Sequence, residues 1–183
     1  QYVNMERAKA RLQWVVPATV ALVVLLLLLH FRNATKVALV LLSLPFALVG
    51  GFWLVYWLGY NLSVAVAVGF IALAGVAAEF GVVMLLYLDN ALEERRAQGL
   101  PIHAGALRAA IVEGALLRIR PKMMTVSVIL AGLLPIMASD ATGADVMKRI
   151  AAPLVGGMVT APLLSLIVIP VLYSIWQGRR ITR

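Results

Sequence analysis

The sequence predicts an all-α membrane protein in which five long apolar segments each cross a bilayer as a helix. Of its 183 residues, 63% are hydrophobic, and the mean hydropathy is +0.97. A soluble domain is about 45–50% apolar, so lipid must be the solvent for much of this surface. The charged residues cluster between the apolar segments, and each segment has the roughly 20 residues that a helix needs to cross a ~30 Å hydrocarbon core.

The five segments account for most of the chain. They are placed at residues 14–31, 37–58, 63–88, 116–138 and 146–176. Lipid offers the backbone no hydrogen bonds, so only helices and closed barrels span a membrane. Apolar and polar residues do not alternate with period two in these segments, which argues against barrel strands.

The distribution of basic residues predicts the orientation in the membrane. Ten Lys and Arg residues fall on the side of the first loop, the third loop and the C-terminal tail, and five fall on the other side. Cytoplasmic loops carry the excess of Lys and Arg, so the C-terminus is predicted to face the cytoplasm and the N-terminus to face outward. The Lys and Arg residues that give the net charge of +8 lie in short loops at helix ends, so the charge does not indicate a nucleic-acid partner.

Residues 89–115 are predicted to form an amphipathic helix with flanking loops on the cytoplasmic surface. Leu107, Ile111 and Ala115 recur at helical spacing, and this pattern favours an interfacial helix over a plain solvated connector. The chain is thereby divided into a lead-in, three transmembrane helices, this interfacial segment, two transmembrane helices and a tail, at 1–13, 14–88, 89–115, 116–176 and 177–183.

Small residues predict which helices pack closely. The third segment is crowded with Ala and Gly, and the fifth contains Gly156 and Gly157. Small side chains let helix backbones approach each other in a membrane, so both segments are predicted to be central in a bundle. The fifth segment should also bend, because it contains Pro153, Pro162 and Pro170.

Glu79 is the strongest candidate functional residue because it lies inside the third segment. Its position along the segment places it roughly 5 Å from the bilayer centre at ~1.5 Å of rise per residue. An ionisable group there costs on the order of 2.5–3.5 kcal/mol and usually lines a proton or ion pathway. The alternative is a static buried pair or a protonated packing residue, and the sequence favours the functional interpretation.

Lys122 is a candidate partner for Glu79. From the residues alone, a lysine whose side chain extends to the membrane interface is an equally favoured interpretation. Side chains lean toward the N-terminus of their helix, so contact with Glu79 requires the fourth helix to begin well before Pro121. Thr125, one turn deeper, is predicted to share a face with Lys122 and could pass protons through its hydroxyl. A threonine at such a position also commonly serves only in packing.

Methionine and cysteine content limits the metal chemistry. There is no cysteine, so thiol ligands and disulfides are excluded. Met147 lies at the outer end of the fifth segment, after the candidate cap Asp145. Met158 lies about 16 Å deeper on nearly the same face. The two could be successive stations for a soft ion such as Cu(I). From the residues alone, packing is the favoured interpretation of both. No catalytic triad, phosphate-binding loop or dinucleotide fingerprint is present.

Four stretches resemble the resistance-nodulation-division (RND) transporters, and most closely the copper/silver type of their heavy-metal branch. They are SLPFALVGG at 43–51, GFIALAGVAAEFGVVM at 69–84, RIRPKMMT at 118–125 and VMKRIAAP at 146–153. The resemblance extends along essentially the whole chain. It implies the second half of a twelve-helix inner-membrane subunit that works as a homotrimer with a periplasmic adaptor and an outer-membrane channel.

The resemblance also implies roles for individual residues. Glu79 matches a proton-relay glutamate and Lys122 a relay lysine, both of which act with an aspartate on a helix outside this chain. Met147 matches a methionine of the copper/silver relay, which shifts its interpretation from packing to metal transfer. No resident cofactor is implied, since Cu(I) or Ag(I) would be the transported ion, coupled to protons.

Other functions remain as alternatives. An RND pump for Zn, Co or Cd or for organic compounds is one, and a membrane structural subunit that transports nothing is another. An enzyme is not expected, because no paired nucleophile or metal-ligand set is present. Because the sequence begins at Gln1 without a signal peptide, we expect it to be part of a longer chain.

The predicted orientation can be checked by labelling cysteines introduced at Gln98 and Thr142. Position 142 should react with an impermeant thiol reagent in intact cells and position 98 should not, since the excess of basic residues lies on the side of position 98. Labelling of position 98 but not of position 142 would show that the predicted orientation is wrong.

Overall fold

The computed structural model describes residues 2–99 and 104–181, and these residues form five α-helices. They are α1 (Tyr2–Phe31), α2 (Ala34–Trp57), α3 (Val64–Ala97), α4 (Ala104–Ala138) and α5 (Ala144–Ile181). Each contains a segment long and apolar enough to cross a membrane. The prediction of an all-α protein with five transmembrane helices is therefore confirmed.

The helices extend beyond the apolar segments that predicted them. The lead-in at 1–13 is helical from Tyr2 onward, and α5 continues through the predicted tail as far as Ile181. Ser63 caps α3, where its side chain accepts a hydrogen bond from the backbone nitrogen of Val66. Apolar patterning marks the part of a helix that faces lipid, whereas backbone hydrogen bonds continue into the polar flanks.

The structure differs from the prediction at residues 89–115, where no separate interfacial helix forms among the described residues. Residues as far as Ala97 belong to α3, and those from Ala104 belong to α4, which runs through Pro121 into its membrane span. Residues 100–103 lie outside the described part of the chain. Glu and Arg are good helix formers, so the charged residues between the apolar segments extend the helices instead of ending them.

The described chain divides into two compact units at residue 38. In the first unit, α1 exposes bulky apolar side chains such as Trp14, Leu25 and Leu29, as expected for a helix surrounded by lipid. In the second unit, residues of α2 to α5 pack together in an apolar core. The buried side chains of this core are Ala47, Leu73, Ala77, Phe80, Val126, Met158 and Ala161.

Glycines bring α5 close to α2 and α3. A methyl group added at Gly156 would overlap the carbonyl oxygen of Gly50 on α2, and one added at Gly157 would overlap the side chain of Leu73 on α3. Thr160 completes the crossing, where its hydroxyl donates to the carbonyl of Ala47 over 3.3 Å. The role predicted for Gly156 and Gly157 in close packing is confirmed.

Substitution of Gly156 by alanine should destabilise this crossing. The added methyl group meets the backbone of α2, which cannot rotate aside, and overpacking of this kind costs about 1–3 kcal/mol. The thermal unfolding temperature of the detergent-solubilised protein should fall. Gly132→Ala is the matched control, because a methyl group there meets nothing within 4 Å; equal effects of the two substitutions would contradict the packing role.

Candidate functional site

Lys122 lies inside the bundle, which α4 achieves by starting far ahead of it. The helix begins at Ala104, so Pro121 and Lys122 are interior residues. The buried face of α4 contains Lys122 and Val126, one turn apart, and the lysine side chain is 0% exposed. The requirement derived from the sequence, that the helix start well before Pro121, is met. The alternative of a lysine extending to the interface does not fit this position.

The ammonium group of Lys122 has two partners on neighbouring helices. Its Nζ donates a hydrogen bond to the hydroxyl of Ser165 on α5 and lies 4.8 Å from the ring centroid of Phe80 on α3. The Ser165 hydroxyl in turn donates to the carbonyl of Pro162 over 3.0 Å. An aromatic face and a hydroxyl oxygen both stabilise a cation that has left water. The site can therefore hold a proton at a defined atom between α3, α4 and α5.

Glu79 faces out of the bundle and does not contact Lys122. It is exposed in the chain, and no hydrogen bond or ion pair joins it to another described residue. Adjacent residues on a helix point in directions about 100° apart, so Phe80 can meet Lys122 while Glu79 turns away. A methyl group added to Gly75, one turn earlier, would meet nothing within 4 Å. The face around Glu79 is thus open in this chain.

Thr125 does not share the buried face with Lys122, contrary to the sequence prediction. It is exposed, and its hydroxyl donates to the carbonyl of Pro121 within α4 over 3.1 Å. Val126 takes the inward position instead. A residue three positions along a helix lies about 60° from the first and one four positions along about 40°, and this small difference decides the face.

The two candidate methionines of α5 have different surroundings. Met147 is 58% exposed, whereas Met158 is fully buried within the apolar core. Asp145 lies in the first turn of α5, not at its cap, because the helix begins at Ala144. Met158 therefore fits the packing interpretation, whereas most of Met147 is exposed. In the described ranges, His, Asp and Glu form no group of three that could hold a metal ion.

Sequence reasoning missed the polar partners contributed by α5. Ser165 holds Lys122, and further along the helix the hydroxyl of Tyr173 donates to Asp89 on α3 over 2.8 Å. The spacing could have indicated Ser165, since it follows Met158 by seven residues and so lies on the same face of the helix. Whether the serine and the tyrosine are buried depends on which face of α5 meets α3 and α4, and the sequence does not show that.

Comparison with known proteins places the chain in a family. Residues 1–177 match the AcrB/AcrD/AcrF family. SilA of Salmonella typhimurium is 53% identical over 98% of this chain, and the cation efflux system protein CusA of Escherichia coli K12 is 52% identical over all of it. The chain belongs to the RND transporters. Its recognition from four sequence stretches is confirmed, as is its place among multi-pass proteins of the inner membrane.

The RND relatives include proteins named for other metals. The cobalt-zinc-cadmium resistance protein CzcA of Cupriavidus metallidurans is 38% identical over 94% of the chain. The crystal structure of a heavy metal efflux pump superposes on 97% of the chain with a TM-score of 0.78 and 35% identity. The chain spans 17% of SilA and 16% of that crystallised pump, so it corresponds to a membrane portion of such proteins. Membership of this family agrees with a transporter and not with an enzyme.

Proposed function

We propose that the complete protein exports Cu(I) or Ag(I) across the Gram-negative cell envelope and is driven by protons moving inward. The observation that carries the proposal is the buried ammonium group of Lys122, held by Ser165 and Phe80 in the middle of the membrane bundle. A charge at such a position is costly, and ionisable groups inside membrane bundles usually serve ion or proton pathways. Family membership supplies the transport class.

In this proposal, Glu79 and Lys122 are proton-carrying groups that this chain supplies to the relay. They lie on either side of Phe80, with Glu79 one residue away along α3 and Lys122 over the ring. Glu79 faces the open side of the bundle, where a helix from another part of the pump would complete its surroundings. Thr125 adds a hydroxyl on the exposed side of α4 and assists the transfer from there.

The proposed cargo is supported by Met147 and by the sequence identities to the relatives. A thioether is a soft ligand that suits Cu(I) and Ag(I), and Met147 is exposed at the end of α5 that faces outward in the predicted orientation. Met158 is the weaker metal candidate, because hydrocarbon surrounds it. The 52% identity to CusA against 38% to CzcA favours this cargo over divalent metals.

The proposal includes an assembly. The pump would act as a homotrimer in the inner membrane, with a periplasmic adaptor and an outer-membrane channel completing the export route. A structural subunit that transports nothing is the alternative of a different class. Lys122 argues against it, because a passive anchor gains nothing from a buried amine that would be replaced by an apolar residue at no loss of stability.

Glu79→Gln is the decisive variant for proton coupling. Glutamine keeps the size and hydrogen-bonding capacity of glutamate but cannot ionise, so a cycle that needs a change of protonation should stop. Copper and silver tolerance of cells that depend on the complete pump should collapse, while its abundance and trimer assembly stay normal. Lys122→Met should act similarly, and the double variant should be no worse than either single one.

Glu94→Gln is the matched control for Glu79→Gln, since Glu94 is an exposed carboxylate on the polar end of the same helix. It should leave tolerance unchanged. A Glu79→Gln pump that is expressed normally and still confers full tolerance would falsify the relay role.

Met147→Leu tests the cargo separately from the coupling. Leucine keeps the volume and apolarity of methionine but lacks the sulfur, so only metal transfer should suffer. Copper and silver tolerance should fall at unchanged protein level. Met124→Leu is the control, because Met124 is a similarly exposed methionine on α4; equal tolerance in both variants and the wild type would return Met147 to a packing role.

A further inference from the structure

The buried face of α5 remains polar well beyond Ser165. Ser165, Ile169, Tyr173 and Gln177 follow one another at intervals of four residues, and all four are at most 6% exposed. Residues four apart on a helix share a face, so three of the four positions on this inward face have polar side chains. Polar groups buried inside a membrane bundle are costly unless they are paired, and they mark functional pathways.

Tyr173 links α5 to α3 as Lys122 links α4 to α5. Its side chain is 1% exposed, and its hydroxyl donates to Asp89 Oδ1 over 2.8 Å. Tyr173 lies roughly 12 Å beyond Ser165 along α5, and Asp89 lies roughly 15 Å beyond Glu79 along α3, at 1.5 Å per residue. In the predicted orientation, both displacements lead toward the cytoplasm.

A narrow layer separates this pair from Lys122. A methyl group added to Gly81 of α3 would lie 3.2 Å from Val40 Cγ1, and 3.5 Å from both Ile169 Cδ1 and the Ser43 hydroxyl. Ser43 is buried and donates to the carbonyl of Val40 on its own helix over 2.7 Å. The layer is therefore tightly packed and mainly apolar, with one hydroxyl inside it, and it closes the route between the two polar steps in this conformation.

We propose that Asp89, positioned by Tyr173, is the cytoplasmic exit step of the proton path. The inference rests on the proposed function. When the layer opens, the Lys122 ammonium group gives up one proton and becomes a neutral amine, and the Asp89 carboxylate gains that proton and becomes a carboxylic acid. Asp89 then releases it to cytoplasmic water, so one proton moves and no electrons are exchanged. Tyr173 is a positioning residue, because its hydroxyl holds the carboxylate in place.

The surroundings of the pair suit an exit. Among the described residues, the charged groups that act on Tyr173 include Asp89, Glu93 and Arg96, all on α3. Glu93 is exposed and lies one turn beyond Asp89, on the same helix face. A carboxylate at the surface one turn from a half-buried one offers the released proton a next acceptor.

Proton flux through the complete pump in proteoliposomes tests the proposal, with a pH-sensitive dye inside and Ag(I) as the driven cargo. Asp89→Asn should lower Ag(I)-dependent proton flux by at least about tenfold, as loss of a proton-transfer group does. Tyr173→Phe should lower it less and shift its dependence on the pH of the cytoplasmic side. Ser174→Ala is the control, because the Ser174 hydroxyl donates to the carbonyl of Val171 within its own helix. Trimer assembly is measured in every variant.

A second variant locates the path without relying on loss of activity. Ile169→Ser should wet the layer and produce a proton leak in the absence of metal, and adding Asp89→Asn should suppress that leak. A leak of equal size in the double variant would overturn the proposal, as would normal Ag(I)-dependent flux in Asp89→Asn. If Glu79→Gln blocks flux while Asp89→Asn does not, the exit step is wrong and the proposed function stands. If Glu79→Gln leaves flux intact, the proposed function itself fails.

Discussion

The burial of a lysine amine among helices that lie in lipid is the constraint on which the rest of the bundle depends. The Nζ atom of Lys122 needs Ser165 and the face of Phe80, so α4, α5 and α3 must meet at one level. Gly156 and Gly157 allow the close approach of α5 to its neighbours, since Gly156 lies against the backbone of Gly50 on α2 and Gly157 against the side chain of Leu73 on α3. Hydrophobic driving force between helices is weak in lipid, so this close contact supplies much of the cohesion.

The sequence predicts the presence of the five helices better than the residues at which they begin and end. A segment of 20 or so apolar residues has one stable solution in a bilayer, a helix, and all five were predicted from that rule alone. Where α3 and α4 leave the apolar segments, the rule no longer applies. Arg95 and Glu113 then join the two extensions through a 3.0 Å ion pair. The described residues of the predicted surface helix become the end of α3 and the start of α4 instead.

The candidate site shows the same division at the level of single residues. Glu79 and Lys122 were identifiable because charge is rare and costly within a membrane span. Their lack of contact was not predictable, since it depends on the rotation of α3 and α4 about their axes, which also places Val126 inside and Thr125 outside. Ser165 and the Tyr173–Asp89 pair were missed because hydroxyl groups carry no charge to single them out and the partners lie far apart in sequence.

The three prolines of α5 give that helix a mechanical property of its own. Proline has no amide hydrogen, so the carbonyls of Arg149, Met158 and Leu166, each four residues before a proline, lose their usual donors within the helix. Bending α5 at these levels therefore breaks fewer hydrogen bonds than bending an uninterrupted helix would. Two of these levels, at Met158 and Leu166, lie on either side of Pro162 and Ser165. Bending at the level of Met158 would therefore move Ser165, which holds the Lys122 amine, relative to the part of α5 that is packed at Gly156 and Gly157.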